Sequence, residues 1–589
     1  MDDQDPIQLK HLFKRPVVRQ WLYNGNYYRE KDERQSSRFE LFSDLLFVGV
    51  VHQLADGLAE EGAATALNVA KFVLVFYPAF SIWSDMRRQL NMSGTDDCFQ
   101  RLYVLVIMLI LVGYTSNAAG ILIFPAHAGT ILMSHNQELG ADGTVALAAE
   151  YGLRSLSRRA EEGGHSERPV LVEAIGNTGY WFAEGYHRAV YSSIAFYLSA
   201  KVLKLMVHFV YGLMLPKFRT ALWVEMVPIF LLACTYLPLA FIYNPGWICA
   251  IIVAGIIIDL FSKYLINGLL QRVHRYYKRK GKPIFIPAQS VEHIAERTVL
   301  FVVLVTGECI LNSTFVATHE HYGLSTQLLR ASLSVINSFY LVWIYFDCDA
   351  SRTFLHALRV NPWSAITFSL LHYPLCAALI LLSSSIPRLV KNSSSEMGYR
   401  WFYAASMSVA MLCMAIIGLL HRNLDIAGSA YWSQRARIAF RLVCSAGFAL
   451  LPLGGEDWNN LEFLLAYNII LGLLVFSETA GKLGVVGRKF DQAKADAYYA
   501  ALKSDSADPE EKRSAEEVFK ALQEGLEANE AINPHTSRVK LSKKDVWHPY
   551  EDLMGDERGD EDVGVEGELG QMEVKERMDA GQRWALVAN

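Results

Sequence analysis

Four ionisable residues sit in one apolar stretch, Glu40, Asp44, His52 and Asp56 within RFELFSDLLFVGVVHQLADGLAEE (38–61). Carboxylates and an imidazole can bind a cation, pass a proton or pair with a base. A charged side chain at the centre of a hydrocarbon layer costs about 2.5–3.5 kcal/mol, so charges kept there need partners, water or a pathway. At 100° per residue the four fall at roughly 0°, 40°, 120° and 160°, on one face of a helix. Asp56, with Glu60 and Glu61, reads as a helix end touching water. Glu40 and Asp44 lie near the other end, where Arg38 or basic loops could neutralise them.

A second group follows. Glu308 lies in TVLFVVLVTGECILNSTFV (298–316), with Gly307 allowing close backbone approach and Asn312 one turn on. Glu296 begins the same stretch. Lys201, Lys204 and His208 share one side of another apolar run and form a partner surface for acids. Asp259 and Lys263, one turn apart, read as a local pair. His372, in SLLHYPLCAAL (369–379), could relay protons, although a satisfied interior histidine is the favoured reading. The candidate intramembrane polar site is therefore Glu40, Asp44, His52, Lys204, His208, Glu296, Glu308, Asn312 and His372. No catalytic, cofactor-binding or metal-ligating set is assigned. Walker, GxGxxG, HExxH and GxSxG motifs are absent, and the cysteines show no CxxC pair or disulfide framework.

These residues must be carried by membrane helices. The 589-residue chain is 52% hydrophobic and 20% charged, with mean hydropathy +0.18. Its apolar residues collect in runs of about 20, the length that crosses a hydrocarbon core. The runs predict twelve spans, near 39–59, 64–84, 101–124, 187–214, 221–243, 247–268, 297–317, 327–347, 364–386, 401–421, 438–453 and 461–482. Basic residues crowd the even-numbered connections, above all Arg272, Arg275, Lys278, Arg279, Lys280 and Lys282. That places both termini in the cytoplasm, with the plasma membrane as the favoured host. The loops at 125–182 and 387–400 dissent, the second through Arg388, Lys391 and Arg400. Pro228, Pro238 and Pro374 predict kinks whose freed carbonyls can line a cavity.

The fold class expected is an all-α polytopic transmembrane bundle. A basic arm (1–37) precedes a first membrane half (38–268), which carries a polar insert at 125–182. A basic loop (269–296), a second half (297–482) and an acidic tail (483–589) follow. The tail is expected to hold a short amphipathic helix over 508–532 and then disorder. The net charge of −5 averages basic loops against this tail and says little about partners. The basic arms serve topology and anionic lipid, not nucleic acid.

Ordered motifs add a resemblance. Glu40-Leu-Phe-Ser-Asp44-Leu-Leu-Phe-Val48 resembles the first-span signature of the low temperature requirement A family. WSDMRRQLNMSGTDDCFQRL (83–102), HIAERTVLFVVLVTGECILNS (293–313), VWIYFD (342–347) and LHYPL (371–375) resemble that family's later motifs in order. Ser43, Thr298 and Cys309 depart from its usual residues. The resemblance implies a multi-pass membrane architecture over roughly 38–480 and no particular reaction.

An internal echo accompanies it. Adding 256 to the first span places Glu40 on Glu296, His52 on Glu308 and Asp56 on Asn312. The second and eighth spans each end on Trp and Asp, as Trp83…Asp85 and Trp343…Asp347. Two six-helix halves in the same orientation are expected, with substrate held between them. The leading expectation is a transporter or permease for a small solute or ion. A cation channel, a membrane-stress structural or sensory protein, and an intramembrane lipid-modifying enzyme are the alternatives. The enzyme would need histidines such as His52, His208 and His372 to converge.

Overall fold

The computed structural model describes most of residues 16–121 and 171–483, together with 123–125 and 573–577, apart from short gaps between elements. Among these residues lie twelve helices of 18 residues or more. They are α1 (Arg38–Glu60), α2 (Ala66–Ser93), α3 (Cys98–Ala118), α4 (Tyr186–Met214), α5 (Arg219–Tyr236) and α6 (Pro245–Arg279). Then come α7 (Val291–Ala317), α8 (Thr326–Phe346), α9 (Pro362–Lys391), α10 (Met397–Leu420), α11 (Gln434–Gly454) and α12 (Asn460–Gly481). Each overlaps a run predicted as a span. Nine are long and apolar enough to cross a membrane, and ten if bent α6, which turns by 42° near residue 263, counts as one span. α1 and α7 are set apart by the charges that make them chemically interesting.

Polar caps fix where the helices begin. Ser37 and Glu40 exchange bonds at the start of α1, Ser37 N donating to Glu40 Oε2 at 2.9 Å and Glu40 N to Ser37 Oγ at 3.3 Å. Asn459 and Glu462 form the same reciprocal box at α12. Asp97, Asn244, Ser325, Asn361 and Ser433 cap α3, α6, α8, α9 and α11 through their side-chain oxygens. Each satisfies backbone N–H groups that have no partner within the helix.

The helices pack in a repeated scheme. In the first six, α1 meets α2 and α3, α2 meets α3, α4 and α6, and the series α3–α4–α5–α6 packs in succession. In the last six, α7 meets α8 and α9, α8 meets α9 and α12, and α9–α10–α11–α12 packs in succession. The two sets join where α1 meets α7 and α9, and where α2 and α6 meet α9.

α1 and α7 run parallel, because their contacts keep a nearly constant sequence difference. Glu40 meets His293, Asp44 meets Arg297, Phe47 meets Phe301 and His52 meets Glu308. Antiparallel helices would instead keep a constant sum.

Short strands finish the ends. β1 (Trp21–Tyr23) and β2 (Asn26–Arg29) form a hairpin, β3 (Ile123–Pro125) pairs with β5 (Tyr180–Ala183), and β5 pairs with β4 (Leu171–Ala174). β1 also pairs with β6 (Ile286–Pro287), β7 (Phe354–Leu355) with β8 (Arg422–Asn423), and β2 with β9 (Glu573–Arg577). The basic arm thus supplies the two inner strands of a four-stranded sheet. The helix expected over 508–532 and the acidic stretch after it lie outside the described residues.

The dissenting arginines of the 387–400 loop have structural work. Arg400 is buried, donating to the carbonyls of Gly455 at 3.0 Å and Trp458 at 2.5 Å. The Arg388 guanidinium lies over the Tyr399 ring.

Candidate functional site

The predicted site residues separate into distinct places, with α2 as the wall between two of them. Trp83 and Arg87 project toward α1 and α7. Ser81, Asp85 and Arg88 lie on the other side of α2, about half a turn away from Trp83.

On the first side is a dry clamp. Asp44 is fully buried, accepts from Trp83 Nε1 at 2.7 Å, and forms a two-pronged ion pair with Arg297. Glu40 accepts from His293 Nε2 at 3.0 Å. Asn91 donates to the carbonyl of Ser290 at 3.1 Å and lies 3.0 Å from His293 Nδ1. That arrangement makes Nδ1 the acceptor and leaves the ring proton on Nε2, facing the carboxylate. Arg297 also donates to the Glu40 carbonyl at 3.3 Å, and Arg87 donates to Thr298 Oγ1 at 2.6 Å. The partners of Glu40 and Asp44 thus include His293 and Arg297 of α7 and Trp83 of α2. Glu296, between His293 and Arg297 in sequence, points outward and is exposed.

Further along α1 and α7, His52 Nδ1 lies 3.7 Å from Glu308, both part-buried. Asn312 turns away to α9, donating to Ser383 Oγ at 2.7 Å and to the Ser383 carbonyl at 3.2 Å. His372 is a satisfied interior histidine. Its Nδ1 lies 2.7 Å from the Phe368 carbonyl, and Nε2 lies 3.1 Å from the Tyr345 hydroxyl.

The other face of α2 holds a different arrangement, a polar cavity of about 50 Å³ among α2, α4, α5, α6 and α9. Asp85 accepts from Lys201 at 2.7 Å and from Lys204 at 2.5 Å. Lys201 also donates to Ser81 Oγ at 2.8 Å. Ser81 in turn donates to Asp259 at 2.5 Å, and Asp259 accepts from the Tyr77 hydroxyl at 3.0 Å. One chain of hydrogen bonds thus links Lys204, Asp85, Lys201, Ser81, Asp259 and Tyr77. Asp259 reaches across to α2, and the side chain of Lys263, its expected partner, lies outside the described residues. Next to the cavity, Glu225 of α5 stands 3.5 Å from both Arg88 and His208. Pro228 lines the cavity, as its predicted kink implied.

Lys204 thus lines the cavity and His208 stands beside it, among neighbours that the sequence reading left out: Asp85, Ser81, Tyr77 and Glu225. A signal existed. Ser81, Ser84, Asp85 and Arg88 make a polar stripe at helical spacing in an apolar stretch.

The second half has buried charges but closes them. Arg441 donates to Glu478 through Nε and through Nη2 at 2.6 Å, and Nη2 reaches the Asp347 carbonyl at 2.7 Å. Lys482 donates to Asp347 at 2.7 Å. His52, His208 and His372 do not converge, and the described residues contain no group of three or more His, Cys, Asp or Glu able to hold a metal ion.

Two departures from the family pattern have roles here, Thr298 as the acceptor for Arg87 and Ser43 as a donor to the Glu40 carbonyl at 2.6 Å. The family profile described as bacterial low temperature requirement A protein matches residues 35–121 and 171–475. The unmatched segment between them falls mostly within the predicted polar insert. No curated protein and no solved structure matches the chain.

Proposed function

The chain belongs to the low temperature requirement A family, a multi-pass membrane architecture within which we propose a permease for a small ion or solute. The observation that carries this reading is the linked network of Asp85, Lys201, Lys204 and Asp259 around a cavity inside an apolar helix bundle. Ionised groups are costly there, and they commonly mark substrate or ion pathways. A cavity of about 50 Å³ has room for one or two water-sized species at roughly 30 Å³ each, which suits an inorganic ion or a very small solute.

In this reading the chain crosses the membrane twelve times, as two six-helix halves of the same orientation, with both termini in the cytoplasm of a plasma-membrane protein. Two features support the duplication. The pairings of α1–α6 recur almost completely in α7–α12, and α1 and α7 lie parallel, as an even number of crossings requires. The charged groups of this site all come from first-half helices, and α9 of the second half closes one wall of the cavity through Ser369, Leu370 and Tyr373. The clamp at the join is filled by its own ion pairs and serves to hold the halves together.

The test is flux into proteoliposomes under an imposed pH or potassium gradient. Wild type should show saturable, gradient-driven uptake, and Asp85→Asn should lower it at least tenfold while the purified protein stays monodisperse. Large non-saturating currents would replace the permease with a channel. No flux under any gradient would leave the buried charges as helix glue in a structural or sensory protein.

A further inference from the structure

A second cavity, of about 140 Å³, lies among α2, α3, α4, α5 and α6. Its walls are almost wholly apolar and include Leu74, Pro78, Ile194, Ile248 and Ile252, with Cys249 also in the lining. It shares four helices with the polar cavity, and along each of them the two linings nearly meet. On α2, Pro78 lines the apolar cavity and Tyr77 the polar one. On α4, Tyr197 lines the apolar cavity and Lys201, one turn on, the polar one. On α5 the corresponding pair is Tyr236 and Leu232, and on α6 it is Ile252 and Asp259. The partition is therefore one to two helical turns thick, roughly 5–11 Å.

Tyrosines stand at this partition. The rings of Tyr197 and Tyr236 meet at 4.9 Å, and Tyr77 holds Asp259 from the adjoining turn of α2. The Lys201 ammonium lies 5.0 Å from the centre of the Tyr197 ring. The Tyr236 ring occupies the space that a side chain at Gly255 would take, so a glycine on α6 is what lets it seat there. The Tyr197 hydroxyl is buried and has no hydrogen-bond partner among the described residues. A buried polar group without a partner is costly, and this one stands between the two cavities where a passing group could satisfy it.

We infer that the two cavities are the two ends of one conduit along the first-half helices, with α9 as one wall of its polar end, closed by a gate of Tyr197 and Tyr236. This rests on the permease reading and adds the route and the barrier. Along the bundle the apolar cavity lies nearer the carboxy-terminal end of α1 and the polar cavity nearer its amino-terminal end, since α2 lines the first from Leu67 to Pro78 and the second from Tyr77 to Arg88. A substrate would leave an apolar vestibule, exchange hydrogen bonds with Tyr197, and reach Lys201, Asp85 and Asp259. Movement of the Tyr236 ring out of the Gly255 notch would open the way.

The chain carries its own reporter. Cys249 lines the apolar cavity, and Ser84→Cys would place a thiol in the polar one. The experiment uses full-length protein in sealed vesicles with Cys98→Ser, Cys234→Ser and Cys348→Ser. A membrane-impermeant methanethiosulfonate reagent is added to one face at a time. Cys249 should react only from the face at the carboxy-terminal end of α1, and Ser84→Cys only from the other. Tyr236→Ala should let each thiol react from both faces, at least tenfold faster than wild type from the formerly closed side. Gly255→Ala, which leaves no room for the seated ring, should do the same and guards against poor folding of the first variant.

Reaction of both thiols from one face in the parent, no reaction from either face, or unchanged sidedness in both gate variants would overturn the conduit. Flux separates this from failure of the permease itself. If Asp85→Asn abolishes uptake but modified Cys249 leaves it intact, the permease stands and the route is wrong. If no variant or parent transports anything, the permease reading fails whatever the labelling.

Discussion

The two six-helix sets use the same packing scheme to different ends. In the second, α9 and α10 are the most enclosed, with 72% and 61% of their most apolar stretches buried, while α4 and α5 of the first and α11 of the second each bury 39%. The first set lines two cavities, the polar one closed on one side by α9 of the second. Its charged groups share a network around space, while Arg441 and Glu478 close on each other. Similar helix pairings thus go with charges that surround a cavity in one set and with an ion pair that closes on itself in the other.

The sharpest division should come from stability. Arg441→Met leaves Glu478 buried without its guanidinium, and should cost about 3–5 kcal/mol, the usual penalty for breaking a buried pair. Thermal unfolding in detergent would register it as a large drop in Tm. Adding Glu478→Leu should restore most of the loss, and transport per folded molecule should match wild type. If Arg441→Met transported poorly at full stability, the second half would hold a site as well.

A smaller effect concerns the α9–α10 end of the second half. His356 and His421, just outside the helical spans, pack edge to face at 4.8 Å and are both buried. Burial holds His356 well below the ordinary imidazole value, and burial takes His421 down to about 4. The unfolded chain therefore takes up protons first as pH falls below about 6.5, so stability should decline between pH 6.5 and about 4. Tm measured from pH 7.5 to 5 should fall, and His421→Leu should flatten the decline. A Tm independent of pH over that range would contradict the buried neutral pair.

The smallest effect is expected at the join. His52 and Glu308 are part-buried and 3.7 Å apart, a geometry that contributes about 1 kcal/mol or less. Glu308→Gln should shift Tm little.

Much of this architecture is written in hydrophobic runs. Every predicted span falls on a long helix, because a 20-residue apolar run has few other ways to satisfy its backbone in lipid. The candidate site was less legible. Lys201, Lys204 and His208 were recognisable as one face, since helical spacing alone puts them together. Their acids were not, because Asp85 sits at a helix position that reads as an ending, and Asp259 has a lysine one turn away that offers a simpler partner. The clamp was hidden for a related reason. Glu40 and Asp44 are four apart, and so are His293 and Arg297, but that matched spacing becomes a ladder only if the two helices are parallel and adjacent. Sequence showed which faces were polar; packing decided which of them met.

The central claim, that the charged groups of the site are those of the first-half helices around Asp85, is tested most directly by flux through Asp85→Asn and Glu308→Gln in parallel proteoliposomes under one gradient. The account predicts at least a tenfold loss for Asp85→Asn and uptake close to wild type for Glu308→Gln. The reverse, with Glu308→Gln inactive and Asp85→Asn transporting normally, would move the site to the join between the halves and contradict the account.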